Sequence, residues 1–446
     1  MLTIFTVVGI GIVLFTCLNM VDSQNISVAR CQAWHGSMAM VEAGIEESMG
    51  HLNSTNNYTS DGWTYKAGTY NLDRRVGESC YSESIIMTNP LQPVILSIGY
   101  APIPLTKASG QTSGKFPPPG QLKNDFLART VQVTARKRQI FIKGMAAKQQ
   151  ITMNGNNITT DSFDSRDINY NDGFGHYTNS ATKIKDNGDV STVSGLANAA
   201  GIGNANIKGR LQTGPGGTAA IGPNGKVGSL AWHASSGTGI QPGWFSDDLN
   251  VTFPSVSRPF TISQARTNLP PGTNVSGLTI IGTNSYNYVL SGTNYEVASV
   301  TLNSGQKMAV TGNAVLVVDG DLTLSGTGSR IDVIPPATLK LYMGGNATIG
   351  GDGFNNLGWA TNFTYYGLPS NTSIKMNSSG DFTGAIYAPD TDLQMSGGGS
   401  GLQQNFVGSC IMRNITVNGH YNFHYDEALG KFGPPSIFVI TSWLEL

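Results

Sequence analysis

The chain has 446 residues, enough for two or three domains, and a formal net charge of −1 at pH 7. Charged residues make up only 12 % of it, about half the usual share, while Gly reaches 56 residues. The near-zero charge gives no reason to expect a nucleic-acid partner, and the many Val, Ile and Thr residues argue against disorder. This composition is typical of an exported protein built from short strands and tight turns.

Residues 1–21 (MLTIFTVVGIGIVLFTCLNMV) contain no charged side chain, and Asp22 is the first. About 20 apolar residues are enough to span a bilayer. A cleaved signal peptide normally starts with Lys or Arg and ends in a small-residue cleavage site, and neither is clear here. A buried core helix of this length is uncommon. We therefore predict a retained helix that crosses the inner membrane once and carries an exported domain.

No proline follows up to residue 53, so the helix is predicted to continue to that point. Its apolar side chains recur at three- and four-residue steps and form one stripe. The stripe consists of Val28, Cys31, Trp34, Met38, Val41, Ile45, Met49 and Leu52. We expect it to lie on the protein's own β-domain or on neighbouring copies, and the turn formers of residues 53–60 to end the helix.

A hydrophobic start that continues into an amphipathic helix resembles the layout of type IV pilins and pseudopilins. Residues 23–53, with SQN, AR, QAW, VEAGIEE and HLN in order, are similar to the N-terminal part of PilX-type minor pilins. The resemblance implies contacts with other pilin or pseudopilin subunits through the helix, and with the membrane.

The sequence departs from the pilin pattern in two ways. No basic leader ending in Gly precedes Met1, so we expect the chain to be written in processed or truncated form. If Met1 is taken as the first mature residue, Phe5 stands where major pilins carry a glutamate that in that family is thought to pair with the neighbouring subunit's N-terminus. A minor or accessory role is therefore expected rather than bulk polymerisation.

Residues 54–145 are predicted to form a small β-rich region that packs on the helix. Stretches such as GWTYKAGTYNL and PVILSIGYAPIPL alternate in places as strands do. Residues 108–120 (ASGQTSGKFPPPG) predict a loop, because proline cannot donate a ladder hydrogen bond. We interpret the cluster of Arg136, Lys137 and Arg138 as a solvated strand end rather than a binding patch.

Residues 146–446 show short alternating runs broken by Gly, Asn or Asp at roughly even spacing. This imperfect repeat is typical of a β-helix, in which apolar side chains stack inward and Gly, Asn and Asp take left-handed corners. A β-sandwich would have longer strands. We predict stacked coils over Ile151–Leu429, an inserted connection near residues 252–295, and IFVITSWLEL as a final strand or cap.

The stretch AVLVVDGDLTLSG allows the β-helix prediction to be made for individual residues. Alternate apolar side chains fall on one face of a strand. The inward residues are predicted to be Leu316, Val318, Leu322 and Leu324, with Asp319, Gly320 and Gly326 at corners.

Pieces of this region, including TLNSGQKMAVTGNAVLVVDGDL, GAIYAPD and NGHYNFHYDEAL, resemble the C-terminal domain that accompanies PilX-type N-termini. They are also similar to the polymer-forming bactofilin-type β-helices. With the helix, the resemblance covers about two thirds of the chain. It implies a location and an architecture rather than a biochemical role.

Two acidic runs are candidates for chemistry. Asp161, Asp164 and Asp167 could bind calcium or form a carboxylate pair, as clustered Asp residues do in β-helix pectinases and lyases. We interpret them instead as corner residues beside Arg166, with no second acidic cluster at an equivalent rung.

The second run, His424, Tyr425, Asp426 and Glu427, suggests an acid/base site. We interpret it as the start of a short helical turn, with His424 capping it or bonding a backbone carbonyl. No HExxH or GxSxG motif occurs, so we predict no catalytic residue, metal site or cofactor.

The four cysteines, Cys17, Cys31, Cys80 and Cys410, lack CxxC spacing. Cys80 and Cys410 either pair outside the cytoplasm or remain buried free thiols.

We predict a non-enzymatic, minor pilin-like structural protein of the bacterial cell envelope, acting in pilus assembly, surface display or adhesion. Surface carbohydrate is a further candidate partner. The alternatives are a membrane-tethered β-helix carbohydrate-active enzyme and a self-polymerising bactofilin-like scaffold. An enzyme should bring several Asp and Glu residues into one groove, and a scaffold should have uncapped apolar terminal rungs.

Overall fold

The protein, seen here as a computed structural model, is mainly β with one long N-terminal helix. The structure describes residues 2–53, 62–90, 92–103, 126–155, 157–235, 237–260, 279–377, 379–396, 404–432 and 436–446. It divides into two compact units: Met1–Arg138 with Ser436–Leu446, and Gln139–Pro435. The second unit is thus an insertion within the first, and the boundary lies before the predicted one at residue 145.

Helix α1 of the first unit runs without interruption over Leu2–Asn53. This agrees with the prediction of one continuous helix, while Met1 and the predicted turn at 54–60 lie outside the described residues. Every residue from Val7 to Val28 is exposed. Its length and composition are sufficient to cross a membrane, a test that signal sequences also pass.

The first unit also contains one sheet. Its strands in chain order begin with β1 (Thr64–Lys66), β2 (Thr69–Val76), β3 (Ser79–Ile86), β4 (Val94–Pro102) and β5 (Phe126–Gln139). These strands pair antiparallel with their neighbours. The predicted loop at 108–120 and the side chains of Lys137 and Arg138 lie outside the described residues, and Arg136 is exposed, as a solvated strand end would be.

The second unit contains the remaining strands except the last. They are β6 (Met145–Ala147), β7 (Ile151–Met153), β8 (Thr159–Phe163), β9 (Val190–Thr192), β10 (Ala200–Gly203), β11 (Asn206–Lys208), β12 (Leu211–Gln212), β13 (Ala219–Ile221), β14 (Lys226–Gly228), β15 (Gly239–Ile240), β16 (Phe245–Ser246), β17 (Thr279–Ile281), β18 (Asn284–Tyr286), β19 (Tyr288–Leu290), β20 (Thr293–Val297), β21 (Val300–Leu302), β22 (Lys307–Val310), β23 (Asn313–Val318), β24 (Leu322–Leu324), β25 (Arg330–Val333), β26 (Thr338–Met343), β27 (Ala347–Ile349), β28 (Gly353–Asn356), β29 (Phe363–Gly367), β30 (Ser373–Met376), β31 (Phe382–Met395), β32 (Gln404–Val417) and β33 (Tyr421–Asp426). Short helices are α2 (Leu230–Ala234) and α3 (Leu429–Phe432), with 3₁₀ turns at Ile168–Tyr170 and Ala360–Asn362.

The last strand, β34 (Ser436–Glu445), lies beside β5 at the edge of the sheet of the first unit. The Asn53 side chain holds it to the end of α1, donating to Phe438 O at 3.2 Å and accepting from Phe438 N at 2.8 Å. The prediction that this tail is part of the β-helix was therefore wrong. Its alternating apolar residues fit either sheet, so the sequence did not distinguish them.

Small residues form the start of the face that α1 packs against the sheet. Ala29, Ala33 and Ser37 are buried, whereas Val28, Cys31 and Trp34 of the predicted stripe are exposed. A Cβ at Gly99 of β4 would lie 2.1 Å from Ser37 O, so helix and strand approach closely there. Large side chains do not fit such an approach. The predicted stripe is correct from Met38 onward: Val41, Ile45 and Leu52 are buried, and Met38 and Met49 pack against them.

Glu83 of β3 is buried between α1 and the sheet. Its carboxyl group accepts hydrogen bonds from Ser97 Oγ at 2.5 Å and Ser48 Oγ at 3.1 Å. A Cβ at Gly44 would lie 1.8 Å from Glu83 Oε1, so the carboxyl group fills the space that a helix glycine leaves. Burial raises the pKa of Glu83 to about 8 against the opposing effect of the two hydroxyl groups.

The strands of the second unit stack as parallel coils. Strand β23 pairs parallel with β20 and β26, and β24 pairs parallel with β21 and β27. Neighbouring coils are thus about 4.8 Å apart, the spacing of paired strands. This arrangement is the predicted β-helix, and it excludes a sandwich of antiparallel sheets.

The β-helix is built from two sequence parts that meet at a seam. Strand β32 pairs parallel with β6 and β7, and β33 pairs parallel with β8. The coils from β19 to β33 are therefore followed in space by those from β6 to β16. The chain enters and leaves this unit at the seam, where Tyr425 OH donates to Phe141 O at 2.7 Å.

The connection from β16 to β19 joins the two far ends of the stack. Part of the predicted insertion, residues 261–278, lies outside the described residues. Before it, Tyr387 OH donates to Pro254 O at 2.7 Å, and Arg258 pairs with Glu296 at 2.5 Å and with Asp319 at 2.7 Å. These contacts hold residues 254–258 along the side of the coils.

The interior has the predicted composition. Leu316, Val318, Leu322 and Leu324 are at most 1 % exposed. Asp319 and Gly320 form the bend between β23 and β24, and Gly326 follows with φ +77°. Gly320 is required for close approach rather than for a left-handed backbone, since a Cβ there would lie 2.7 Å from Ala298 O of the preceding coil.

Asn and Asp serve mainly as bridges between coils. Their side-chain oxygens accept a backbone N–H from the next coil at 2.8–3.1 Å. The bridging residues are Asn287, Asp321, Asn346, Asp381, Asn414, Asp189 and Asn204. In the described part of the chain only Ala67, Asn157 and Asn198 are non-Gly residues with positive φ. The expectation that Asn and Asp commonly take left-handed corners was therefore wrong.

Candidate functional site

The two acidic runs singled out in the sequence meet at the seam. In the parallel pairing of β8 with β33, Asp161 lies opposite His424 and Phe163 lies opposite Asp426. The expectation that no second acidic cluster lies near Asp161 was therefore wrong. More than 250 residues separate the runs, and only the register at the seam brings them together.

His424 and Asp161 form the centre of this cluster, each at most 3 % exposed. His424 Nδ1 lies 2.6 Å from Asp161 Oδ1, and His424 Nε2 lies 3.0 Å from Asn405 Oδ1. Asp161 Oδ2 accepts from Tyr177 OH at 3.2 Å and lies 3.5 Å from Lys208 Nζ. His424 thus bonds side-chain oxygens, not the predicted backbone carbonyl, and Asp161 lies within a strand, not at a corner.

Tyr177 covers the pair. Its ring stacks on the His424 imidazole with centroids 3.5 Å apart. Burial, and then the negative charge of Asp161, raise the pKa of Tyr177 well above its ordinary value. Tyr177 therefore stays a neutral hydrogen-bond donor to Asp161.

Asp426 lies beneath the neighbouring turn and is fully buried. Its Oδ1 accepts from Ser165 N at 3.0 Å and Ala428 N at 3.1 Å. Burial raises its pKa to about 6, although the backbone N–H donors favour the charged form. Helix α3 begins directly after this run, so the predicted helical turn is present.

The remaining carboxylates each have a partner. Asp164 pairs with Lys431 at 2.8 Å. Glu427 pairs with Lys185 and accepts from Asn187 Nδ2 at 2.7 Å. Asp167 accepts from Asn169 N at 3.0 Å as an N-cap, which is the predicted corner role. These ion pairs and hydrogen bonds are typical of a cluster that connects two parts of a fold.

Beside the cluster, two open cavities share Trp359 and Gly175, and we call them together the Trp359 groove. The larger, about 440 Å³, is lined by Ser165, Arg166, Ile168, Asn171, Gly173 and Phe174 besides the shared pair. The smaller, about 170 Å³, adds chiefly polar residues: His176, Asn356, Asp381, Thr383 and Asn405. Sequence reasoning missed this groove because Trp359 and residues 164–177 belong to different sequence parts.

Neither metal nor disulfide chemistry is evident in the part of the chain that the structure describes. It contains no group of three or more His, Cys, Asp or Glu residues placed to hold a metal ion. Cys80 and Cys410 are buried free thiols in the first and second unit, and Cys17 and Cys31 are exposed free thiols on α1. Of the two alternatives for Cys80 and Cys410, the structure has the free thiols.

Comparisons with known proteins assign only part of the chain to a described family. Residues 271–432, less than half of it, match a family described as a domain of unknown function (DUF7305). No curated protein sequence matches. Among solved structures, the competence-associated pilin ComZ from Thermus thermophilus aligns with 92 % of this chain and 97 % of its own, at 11 % identity and a TM-score of 0.23. That score is too low to show a shared fold.

Proposed function

We propose that this protein is a pilin-like structural component of a bacterial cell envelope, in a minor or accessory role, held in place by α1. One observation carries the proposal: residues 7–21 of α1 are uncharged and exposed, while Val41, Ile45 and Leu52 further along the helix are buried on the sheet of the first unit. The helix thus has one segment built into the fold and one segment that requires another apolar environment.

The physical reason is the cost of leaving that surface in water. Ile10, Ile12, Leu14, Phe15 and Leu18 are each 58–67 % exposed. Burying such a side chain contributes about 1.5–3 kcal/mol. A bilayer, or a bundle of pilin-type helices, supplies that burial. We propose that α1 anchors the chain in the inner membrane and that the second unit is displayed outside.

A structural rather than enzymatic role is supported by the partners within the seam cluster. Asp161 and Asp164 lie beside Lys208 and Lys431, and Asp426 accepts two backbone N–H groups. Charge-assisted hydrogen bonds of this kind stabilise the fold that the two sequence parts form together.

Membrane extraction tests the anchor. The full chain, expressed in a bacterial host, should remain in the membrane pellet after alkaline carbonate washing. Replacing Val13 and Leu14 by Asp should move it to the soluble fraction, because a charge at the bilayer centre costs about 2.5–3.5 kcal/mol. The control Val13→Leu should stay in the pellet.

Co-purification tests the pilin-like part of the proposal. The chain, expressed in a host with a type IV pilus system, should cross-link to pilin subunits through cysteines placed on residues 7–28 of α1. A wild-type chain that washes off membranes, or cross-links to no pilin, would contradict the proposal.

A further inference from the structure

We propose that the Trp359 groove is a binding site for a neutral oligosaccharide. The groove lies within the second unit, so the inference does not depend on the pilin-like role of α1. It rests on three features: the fixed indole of Trp359, the hydrogen-bonding side chains that line the cavities, and the internally hydrogen-bonded loop of residues 164–177.

Trp359 is held in one position from three sides. Its indole Nε1 donates to Phe174 O at 3.2 Å, and its backbone oxygen accepts from Asn356 Nδ2 at 2.8 Å. The Arg166 guanidinium lies 5.0 Å from the ring centroid. The guanidinium lies over one face of the ring, and the indole N–H is used by Phe174 O, so what the partly exposed indole offers the cavities is apolar ring surface.

The loop of residues 164–177 is also preformed. The Asn171 side chain donates to the carbonyl oxygens of Asp164, Ser165 and Asp167 and accepts from Gly173 N at 2.7 Å. Asp172 accepts from Phe174 N and His176 N. A Cβ at Gly175 would lie 2.2 Å from Trp359 Nε1, so loop and indole are in contact. Such a wall needs little ordering when a ligand binds.

The polar groups of the smaller cavity suit hydroxyl groups. Asp381 is exposed and accepts from Asn405 N at 2.8 Å and Asn405 Nδ2 at 3.0 Å. Each of its carboxylate oxygens has a second lone pair that can accept from neighbouring sugar hydroxyls. Thr383 and His176 add hydroxyl and imidazole groups to the lining.

The two linings carry charges of both signs and no cluster of either. Arg166 lines the larger cavity and Asp381 the smaller, and no Lys lines either one. An anionic polymer would meet the Asp381 carboxylate with only the single Arg166 to offset it. A neutral sugar satisfies both the apolar ring surface and the hydrogen-bonding groups. Trp359 lines both cavities, so sugar rings on either side of it would lie beside the same indole.

The test uses the full chain in detergent micelles on an array of neutral hexose and N-acetylhexosamine oligosaccharides, with uronic-acid and sialylated oligosaccharides as the anionic arm. We expect binding to neutral members, reduced at least tenfold by Trp359→Ala and by Asp381→Asn. Asp381→Asn keeps an oxygen for Asn405, so it tests recognition with little effect on folding. Trp443→Ala, which removes an exposed tryptophan of the first unit, should bind as wild type.

Thermal melts of each variant distinguish lost recognition from lost folding. No binding to any neutral member, equal binding by wild type and Asp381→Asn, or binding confined to anionic members would overturn the proposal. Membrane extraction of Asp381→Asn should match wild type, so a failure here is separate from a failure of the anchor.

Discussion

At the scale of single residues, the Glu83 carboxyl group links the docking of α1 to pH. Its pKa is raised from 4.5 to about 8 in the folded chain. A raised carboxyl pKa means that the folded state binds the proton more tightly than the unfolded state. The contribution to stability is therefore complete below pH 4.5, declines as pH rises toward 8, and is lost above it.

We expect the unfolding free energy of the first unit to fall by about 1.4 kcal/mol for each pH unit across this window from Glu83 alone. Urea unfolding followed by the fluorescence of Trp63, which is buried in the same unit, measures it. Glu83→Gln should remove most of the slope. An unchanged slope in that variant would assign the dependence to other groups.

Val318 provides a matched pair with Val315 on the same strand. Val318 is fully buried between Val297 and Met343, whereas Val315 is partly exposed between Asn294 and Lys340. Val318→Asp should destabilise the second unit by about 3–5 kcal/mol, the range for an unpaired buried charge. Val315→Asp should change stability by less than about 1 kcal/mol. Circular dichroism melts that rank the two variants equally would contradict the inward assignment.

Replacing Asp161 and replacing Asp164 should destabilise the second unit by different amounts, although both residues belong to the same acidic run. Asp161→Asn removes a buried carboxylate that lies 2.6 Å from His424 Nδ1 and accepts from Tyr177 OH, and should cost about 1–3 kcal/mol, the range for a buried hydrogen-bonding group left unsatisfied. Asp164→Asn loses an ion pair with a Lys431 side chain that is 59 % exposed, and should cost less than about 1 kcal/mol. Urea titration compares them. Release of reducing ends from a polysaccharide, lost in the double variant, would overturn the non-enzymatic assignment.

At the scale of elements, the bends between coils depend on glycine for space. A Cβ at Gly345 would lie 2.3 Å from the carbonyl carbon of Gly320 in the coil before it. Gly345→Ala should therefore destabilise the second unit by about 1–3 kcal/mol, the range for overpacking. The matched control is Gly201→Ala in β10, where the nearest atom would be 3.5 Å away. Thermal melts should show a shift for the first and little change for the second.

Elements with a strong periodic signal were predicted well. Helix α1 and the inward residues of β23 and β24 follow from hydrophobic pattern alone, because burial follows the period of each element. The packing face of α1 was missed because its start depends on how closely β4 approaches, which Gly99 on another element decides. The partner of β34 was missed because an alternating strand does not encode its neighbour.

At the scale of the whole molecule, the candidate site was missed because it is assembled across the seam. The sequence supplies Asp161 and His424 but not the register that places them in contact. The Trp359 groove likewise combines a loop of one sequence part with a turn of the other. Such long-range pairings have no local signal, so sequence reasoning recovers the coils but not the order in which they stack.

The seam also predicts that the chain tolerates a break in its long connection. Fragments 1–260 and 261–435, which leave out β34 and its place beside β5, should associate when expressed together, because β6, β7 and β8 of the first fragment pair with β32 and β33 of the second. Size-exclusion chromatography should show them in one peak. Ile415→Asp, placed opposite Ile151 at the seam, should separate the fragments. Wild-type fragments that elute apart would contradict the topology.

The position of β34 has a consequence for how the protein is made. The sheet of the first unit is completed by a strand that the ribosome makes only after every coil of the β-helix. A nascent chain therefore presents β5 with an unpaired edge while the coils are being made, until residues 436–446 follow. A product that stops before those residues would retain all its coils and still carry an open sheet edge, a form that quality control can recognise.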